Sequence, residues 1–269
     1  MTSVPEPTVH ACFEPRTSTW QYVVADPATR AAVIIDSVLD FIPAWNAVST
    51  ESADSLLALV KEKGCTVDRL LETHAHADQP HGFQISIGRI ARAQKRFAQR
   101  YNIPSSEYEG KFDHLLDDDE VFKVGQLQAK ATRLPGHTPG HMGYMIGANV
   151  FNVFCGDSLF NTNIGTARCD FPDGNAHDLF SSVNKPFSLS DDFKIWTGHD
   201  YPLGGETGRM EPLTYTTVAE RKQSNKHLKT GTTEDEFAVQ HPRRPPAGAS
   251  GYPLRGSVLA CADQTPRLD

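Results

Sequence analysis

The sequence predicts an α/β protein built from several short strands. Two observations carry that reading. Four strand-like apolar segments each run into a turn that holds a histidine or an aspartate, and short amphipathic segments lie among them. With 39% hydrophobic residues over 269 positions, the chain can form one large α/β domain or two small ones.

The elements follow in order. Residues 19–24, T-W-Q-Y-V-V, read as a strand, D-P-A-T at 26–29 as a turn, and residues 31–35 as the returning strand that ends at Asp36. Residues 53–63 form a short helix, because Ala53, Leu56, Leu57 and Val60 share a face and Gly64 can end it. Residues 67–73 are the next strand. A brief strand is expected over 82–88 and a basic amphipathic helix over 89–101, its positive charge a solvated face. Asp117-Asp118-Asp119-Glu120 lacks the spacing and glycine of a calcium loop and reads as an exposed turn. Leu127, Ala129 and Ala131 alternate with Gln128, Lys130 and Thr132, which marks a half-buried strand leading to L-P-G-H-T-P-G-H at 134–141. Residues 143–146 and 150–155 give two more strands, the second ending at Gly156-Asp157. Residues 178–183 read as a short helix, 193–197 as a strand ending at G-H-D-Y, and 213–229 as a helix. From about Gly231 prolines and glycines recur without a period. The expected organisation is therefore a domain over residues 1–230 and an irregular or mobile tail over 231–269.

The formal charge of −7 argues against nucleic acid or an anionic membrane as a partner. No stretch approaches the length of a membrane-spanning helix. The five cysteines, Cys12, Cys65, Cys155, Cys169 and Cys261, form no C-x-x-C pair and are expected as reduced thiols. Residues 1–15 carry Glu6 and Glu14 with no basic start and no apolar segment, so no secretory leader is expected. The expected compartment is the cytoplasm, with the mitochondrion as the alternative.

Chemistry concentrates at the strand ends. His74, His76 and Asp78 alternate directly after one strand, and His137, Asp157 and His199 close three others. Neutral imidazoles and a carboxylate suit zinc, iron or manganese. Gly136, Gly156 and Gly198 stand beside these residues and let the backbone bend so that the side chains face one cavity. The expected metal-binding set is His74, His76, His137, Asp157 and His199. His10, His114, His177, His227 and His241 have no partner in the pattern and read as surface residues, and His141, in its Gly-rich turn, as a loop histidine, with a pocket residue as the alternative.

The ordered set H-x-H-x-D, G-H-T-P-G, G-D-S-L-F and G-H-D-Y resembles the metallo-β-lactamase superfamily from about Trp20 to His227. The resemblance implies an αββα sandwich: two packed mixed sheets with helices outside and the metal at one edge. G-D-S-L-F at 156–160, followed by G-T-A-R-C-D-F-P at 165–172 and by His199-Asp200-Tyr201, is similar to the persulfide dioxygenase branch. That likeness implies oxidation of glutathione persulfide by O₂ to sulfite and glutathione. It also implies one Fe(II) per chain on His74, His137 and Asp157, a facial arrangement with open positions. His76, Asp78 and His199 then support the ligands. Asp78 and Tyr201 are the further candidates for catalytic roles, and Arg168 for a glutathione carboxylate, unless it pairs with Asp170 instead. Homodimerisation is left open.

The alternative is a dinuclear Zn(II) thioester hydrolase like glyoxalase II, with Asp157 bridging and a metal-bound hydroxide as nucleophile. Gln79 stands where that pattern has a histidine, which removes an imidazole from the second metal. Only about half a dozen residues separate Asp78 from Ile85, too few for the helix that family members carry there. A third reading follows from that short segment: a catalytically impaired binding protein of the same fold.

Overall fold

The structure, a computed structural model, describes residues 6–38, 40–42, 47–74, 114–147, 151–169, 173–202 and 211–241. Among these residues the strands are β1 (Thr8–Glu14), β2 (Thr19–Ala25), β3 (Ala31–Ile35), β4 (Asp40–Ile42), β5 (Ala47–Ser49), β6 (Thr66–Leu71), β7 (Val121–Val124), β8 (Leu127–Arg133), β9 (Met142–Gly147), β10 (Asn152–Phe154), β11 (Lys194–Trp196) and β12 (Tyr215–Thr217). The helices are α1 (Glu51–Glu62), α2 (Ala176–Phe187), α3 (Val218–Ser224) and α4 (Glu234–Gln240).

One sheet has the order β1-β2-β3-β6, antiparallel except for the parallel pair β3–β6. The second has the order β12-β11-β10-β9-β8-β7, antiparallel except for the parallel pair β10–β11. Strand alternation explains how they stack, since successive side chains point to opposite faces. Along β2, Trp20, Tyr22 and Val24 enter the core between the sheets, where Phe154, Trp196, Met142 and Tyr144 of the second sheet meet them. Val23 and Ala25 point the other way, onto Leu56 and Val60 of α1. On the far face of the second sheet, Val153 and Ile195 pack with Leu179 and Val183 of α2, Val218 of α3 and Phe237 of α4. The result is the expected four-layer αββα sandwich. Fully burying each large apolar side chain in these layers contributes roughly 1.5–3 kcal/mol.

Two buried tyrosines cross the central layer and pin the strand ends near the histidines. Tyr22 donates to the Thr197 carbonyl at 2.6 Å, and Tyr144 donates to the Glu72 carbonyl at 2.6 Å. Burial pushes both phenols well above their ordinary pKa, so both remain donors.

Several expectations are corrected. The edge strand β1 had no counterpart in the sequence reading; its side chains are mostly half-buried, without a sharp alternation to flag it. The helix expected over 213–229 is a strand, β12, followed by the short α3, because Tyr215–Thr217 pairs with β11 and the Thr217–Glu220 capping box starts the helix there. Helix α2 is twice the expected length. Helix α4 lies inside the segment assigned to an irregular tail: Thr233 and Glu236 cap its start, and Phe237 is buried against Phe180 at a ring distance of 5.6 Å. The expected strand 82–88 and helix 89–101, and residues 242–269, lie outside the described residues.

Candidate metal centre

His74 sits three residues past the end of β6, and its position is set by Thr73 and Asp36. The Thr73 N–H donates to Asp36 Oδ1 at 2.7 Å and its hydroxyl to Asp36 Oδ2 at 2.9 Å. With Asp36 ionised, the Thr73 hydroxyl proton is committed to it and the hydroxyl oxygen accepts from His74 Nδ1, 2.9 Å away. The proton of His74 is thereby held on Nδ1, and the Nε2 lone pair is left for a metal.

Asp157 lies in a 3₁₀ turn, Gly156–Ser158, that follows β10. Gly156 has φ +48°, and a Cβ there would overlap the Thr73 hydroxyl. At Gly198 a Cβ would overlap Asp157 Oδ1. Both glycines are therefore required by the close approach of strand ends around the carboxylate.

His137 stands in the turn after β8, and its Nδ1 donates to the Arg168 carbonyl at 2.8 Å. That bond again leaves Nε2 as the ligand atom. His199 follows β11; its Nδ1 faces the Thr17 and Ser18 carbonyls and the Thr19 hydroxyl, each at 3.2 Å.

The three Nε2 atoms converge on one oxygen. Asp157 Oδ2 lies 3.5 Å from His74 Nε2, 3.8 Å from His137 Nε2 and 3.5 Å from His199 Nε2. Donor atoms of His74, His137 and Asp157 all lie within 4.8 Å of one another, a set that does not include His199. Two ligands about 2.1 Å from a common metal at near-octahedral or tetrahedral angles are about 3.0–3.4 Å apart. The three separations from Asp157 Oδ2 come within a few tenths of an ångström of that, and the donor types suit a divalent transition metal. The residues present therefore fit a metal.

His141 was expected to be a loop histidine and is instead a buried brace. Its ring stacks on His74 with centroids 4.4 Å apart and planes 16° apart. Its Nε2 accepts from the Asp157 N–H at 3.1 Å, and its Nδ1 lies 3.3 Å from Ser158 Oγ, which itself donates to the Leu134 carbonyl. A neutral ring satisfies both contacts. Burial first, and then the nearby His137, push its pKa down to about 3, so the ring stays neutral. Its spacing from His137, four residues on across a Thr-Pro-Gly turn, was the available signal.

His227 and His241 also depart from the surface reading. His227 Nδ1 accepts from the Thr166 N–H at 3.1 Å, and His241 Nε2 lies 2.7 Å from the Thr166 hydroxyl while its Nδ1 donates to the Phe237 carbonyl. His114 and His177 are exposed, as expected, and pair with Glu120 and Glu234.

Arg168 has an exposed side chain. Tyr201 is 47% exposed and lies parallel to His199 at a ring distance of 6.0 Å. Cys155 is buried, its thiol donating to the Trp196 carbonyl, and burial pushes its pKa up to about 11, which fits an inert core side chain. His76 and Asp78 lie outside the described residues.

An αββα sandwich with histidines and an aspartate gathered at the strand ends defines a metal-binding protein of the metallo-β-lactamase type. Residues 15–199 match the model of the metallo-beta-lactamase superfamily, and the chain belongs to that superfamily. It is 38% identical over 248 residues to a beta-lactamase hydrolase-like protein of Xylella fastidiosa, covering 88% of this chain and 56% of that protein. It is 38% identical over 245 residues to Glyoxylase B2 of Dictyostelium discoideum, covering 86% and 82%. The mitochondrial persulfide dioxygenase ETHE1 of Bos taurus is 30% identical over 217 residues, covering 80% and 74%. The crystal structure of ETHE1 from Myxococcus xanthus aligns with a TM-score of 0.64 at 26% identity, over 95% of this chain and 96% of that one. The chain spans little more than half the length of the first curated relatives it matches.

Proposed function

We propose that this chain is a mononuclear non-haem iron enzyme that oxidises a persulfide of a small thiol such as glutathione with O₂. The observation that carries the proposal is the donor set: two imidazoles and one carboxylate within 4.8 Å of one another. A 2-His-1-carboxylate set holds one metal and leaves positions open. Gln79 in place of an imidazole supports one metal over two. The resemblance to persulfide dioxygenase ETHE1 in sequence and fold points the same way.

In this reading His74, His137 and Asp157 hold Fe(II), which supplies the redox chemistry between O₂ and the persulfide sulfur when bound. The balance is one persulfide, one O₂ and one water consumed, with one thiol and one sulfite produced. The Thr73 hydroxyl and the Arg168 carbonyl keep both ligand imidazoles in the tautomer that presents Nε2. His141 fixes the Asp157 backbone and the His74 ring plane. The exposed guanidinium of Arg168 can bind a carboxylate of the thiol carrier bidentately. Tyr201, exposed and parallel to His199 at a ring distance of 6.0 Å, is the residue beside the centre that would contact the substrate.

A dinuclear zinc hydrolase is the second reading. Its support is the placement of three imidazole Nε2 atoms around Asp157 Oδ2, which suits a bridging carboxylate with His199 on a second metal. One experiment separates them. Protein expressed with both metals available should hold about one iron per chain, consume O₂ with glutathione persulfide and release sulfite. Two zincs per chain with rapid thioester hydrolysis and no O₂ uptake would overturn the proposal. Cooperative folding with no retained metal would assign the chain to a binding role instead.

A further inference from the structure

The turn between β1 and β2 reaches across from the first sheet to the ligand-bearing end of the second. Trp20 N–H donates to the Gly198 carbonyl at 2.8 Å, Asp200 N–H donates to the Ser18 carbonyl at 3.1 Å, and Thr19 bridges to His199. The turn is organised by a buried carboxylate. Glu14, 4% exposed, accepts from the Arg16 N–H at 2.8 Å, the Thr17 N–H at 2.7 Å and the Thr17 hydroxyl at 2.6 Å. Arg16 does not neutralise it, since its guanidinium turns away to Glu51 at 2.8 Å.

These contacts have a fixed direction. A carboxylate only accepts, so the Thr17 proton points at Glu14. The Thr17 oxygen then accepts from the Thr19 hydroxyl, 2.7 Å away, and the Thr19 oxygen accepts from His199 Nδ1, 3.2 Å away. The same turn presents the Thr17 and Ser18 carbonyls to Nδ1, also acceptors. Opposing them, Asp157 Oδ2 lies 3.5 Å from Nε2 and would draw the proton to that side.

We propose that Glu14 is the positioning residue for His199. Through Thr17 and Thr19, and by seating the turn whose Thr17 and Ser18 carbonyls also face Nδ1, it keeps the His199 proton on Nδ1 and aims the Nε2 lone pair at the metal centre. The proposal rests on the reading of that centre as a metal site, and it extends the usual carboxylate–histidine pairing through two hydroxyls. Glu14→Gln is nearly isosteric, but its amide N–H₂ must face a donor, either Arg16 N–H or the Thr17 pair. Thr19→Val removes one hydroxyl at constant shape, and Thr19→Ser keeps it.

The test is ¹⁵N-histidine NMR of metal-free protein at about pH 8, above the ordinary imidazole range. His199 is assigned by the resonances lost in His199→Gln. Zn(II) affinity is measured in parallel by chelator competition. Wild type should carry the proton on Nδ1. Glu14→Gln, which disturbs both the hydroxyl relay and the turn that carries the carbonyls, should populate the Nε2–H form and weaken Zn(II) binding about tenfold. Thr19→Val, which leaves the two carbonyls, should shift both in the same direction by less, while Thr19→Ser keeps the wild-type values. A wild-type Nε2–H signature overturns the proposal, as does a folded Glu14→Gln protein with unchanged tautomer and affinity. Should Glu14→Gln not fold, an unchanged Thr19→Val spectrum overturns it. A tautomer shift in a protein that binds no metal would sink the metal-site reading and leave the positioning role standing.

Discussion

His74 and His137 turn the same atom, Nε2, toward the same oxygen of Asp157, yet they are held differently. His74 is 1% exposed, and side chains fix it: Thr73 at Nδ1, Asp36 behind Thr73, and His141 against the ring face. His137 is half-buried and relies at Nδ1 on the Arg168 carbonyl. Arg168 belongs to a loop that is itself tied down by His227 and His241 through Thr166 and by Asn225 through the Gly165 carbonyl. The buried side spends hydrogen-bonding groups on rigidity. The half-exposed side holds His137 through backbone, the Arg168 carbonyl, while the Arg168 residue itself is exposed. Damage on the two sides should therefore differ in kind: loss of stability with metal binding on one, loss of metal binding at nearly constant stability on the other.

The largest effect should come from Asp157, which both sides share. Asp157→Ala should cost more metal affinity than the roughly 10–100-fold typical of an outer support, read as metal content after dialysis against a chelator. A variant that keeps its metal would remove Asp157 from the centre. His141→Ala comes next. It opens a hole beside His74 and deprives the Asp157 N–H and Ser158 hydroxyl of their partner, at a cost of about 3 kcal/mol in the denaturant unfolding of metal-free protein. Thr166→Val on the other side should cost about 1 kcal/mol and weaken metal binding about tenfold. Equal stability losses from these two variants would erase the contrast.

The sheets and the ligand turns were readable because period-2 alternation and glycine-flanked histidines are local signals. Residues 19–24 and 31–35 became β2 and β3, and His137, Asp157 and His199 arrived at one carboxylate oxygen as their strand ends implied. The supports were not readable because they are made across the sandwich. Glu14 and His199 are 185 positions apart, and nothing in E-P-R-T-S-T says that its hydroxyls line up toward a distant imidazole. Arg221 is fully buried, donating to the Phe160 and Ile195 carbonyls, where a charged side chain in a polar stretch reads as surface. Helix α4 was missed for a different reason. The T-x-x-E box at Thr233–Glu236 is a local start signal, but it opens only seven helical residues before a proline-rich sequence.

Asp36 makes the buried side sensitive to charge. Burial, then repulsion from Glu72, push its carboxyl up to about 8, while the two bonds from Thr73 oppose the shift. Between the unfolded value near 4 and about 8 the folded metal-free protein holds a proton that the unfolded chain has lost, so stability falls as pH rises through that window. Asp36→Asn should flatten this slope. It should also let the amide donate to Thr73, turning the hydroxyl toward His74 Nδ1 and moving the proton to Nε2. Metal affinity would drop even where stability at pH 8 improves. Unchanged metal affinity would show that Thr73 does not set the tautomer.

The half-exposed side has the opposite and smaller pH response. His227 Nδ1 accepts from the Thr166 N–H, which can only donate, so the His227 ring must be neutral for that bond to exist. Burial first, then His241 and Lys226, push His227 down to about 4, and burial lowers His241 as well. A depressed histidine contributes stability that is present above its unfolded value near 6.5 and is lost as pH falls toward the folded one. Acid should therefore loosen the Arg168 loop before it unfolds the core. Metal release from His227→Gln should depend less on pH between about 6.5 and 4 than release from wild type, because the amide can still accept from the Thr166 N–H and does not titrate. The measurement is chelator-trapped metal release against pH. Parallel curves for the two proteins would mean that acid acts on the ligand histidines themselves and not on the loop that carries the Arg168 carbonyl.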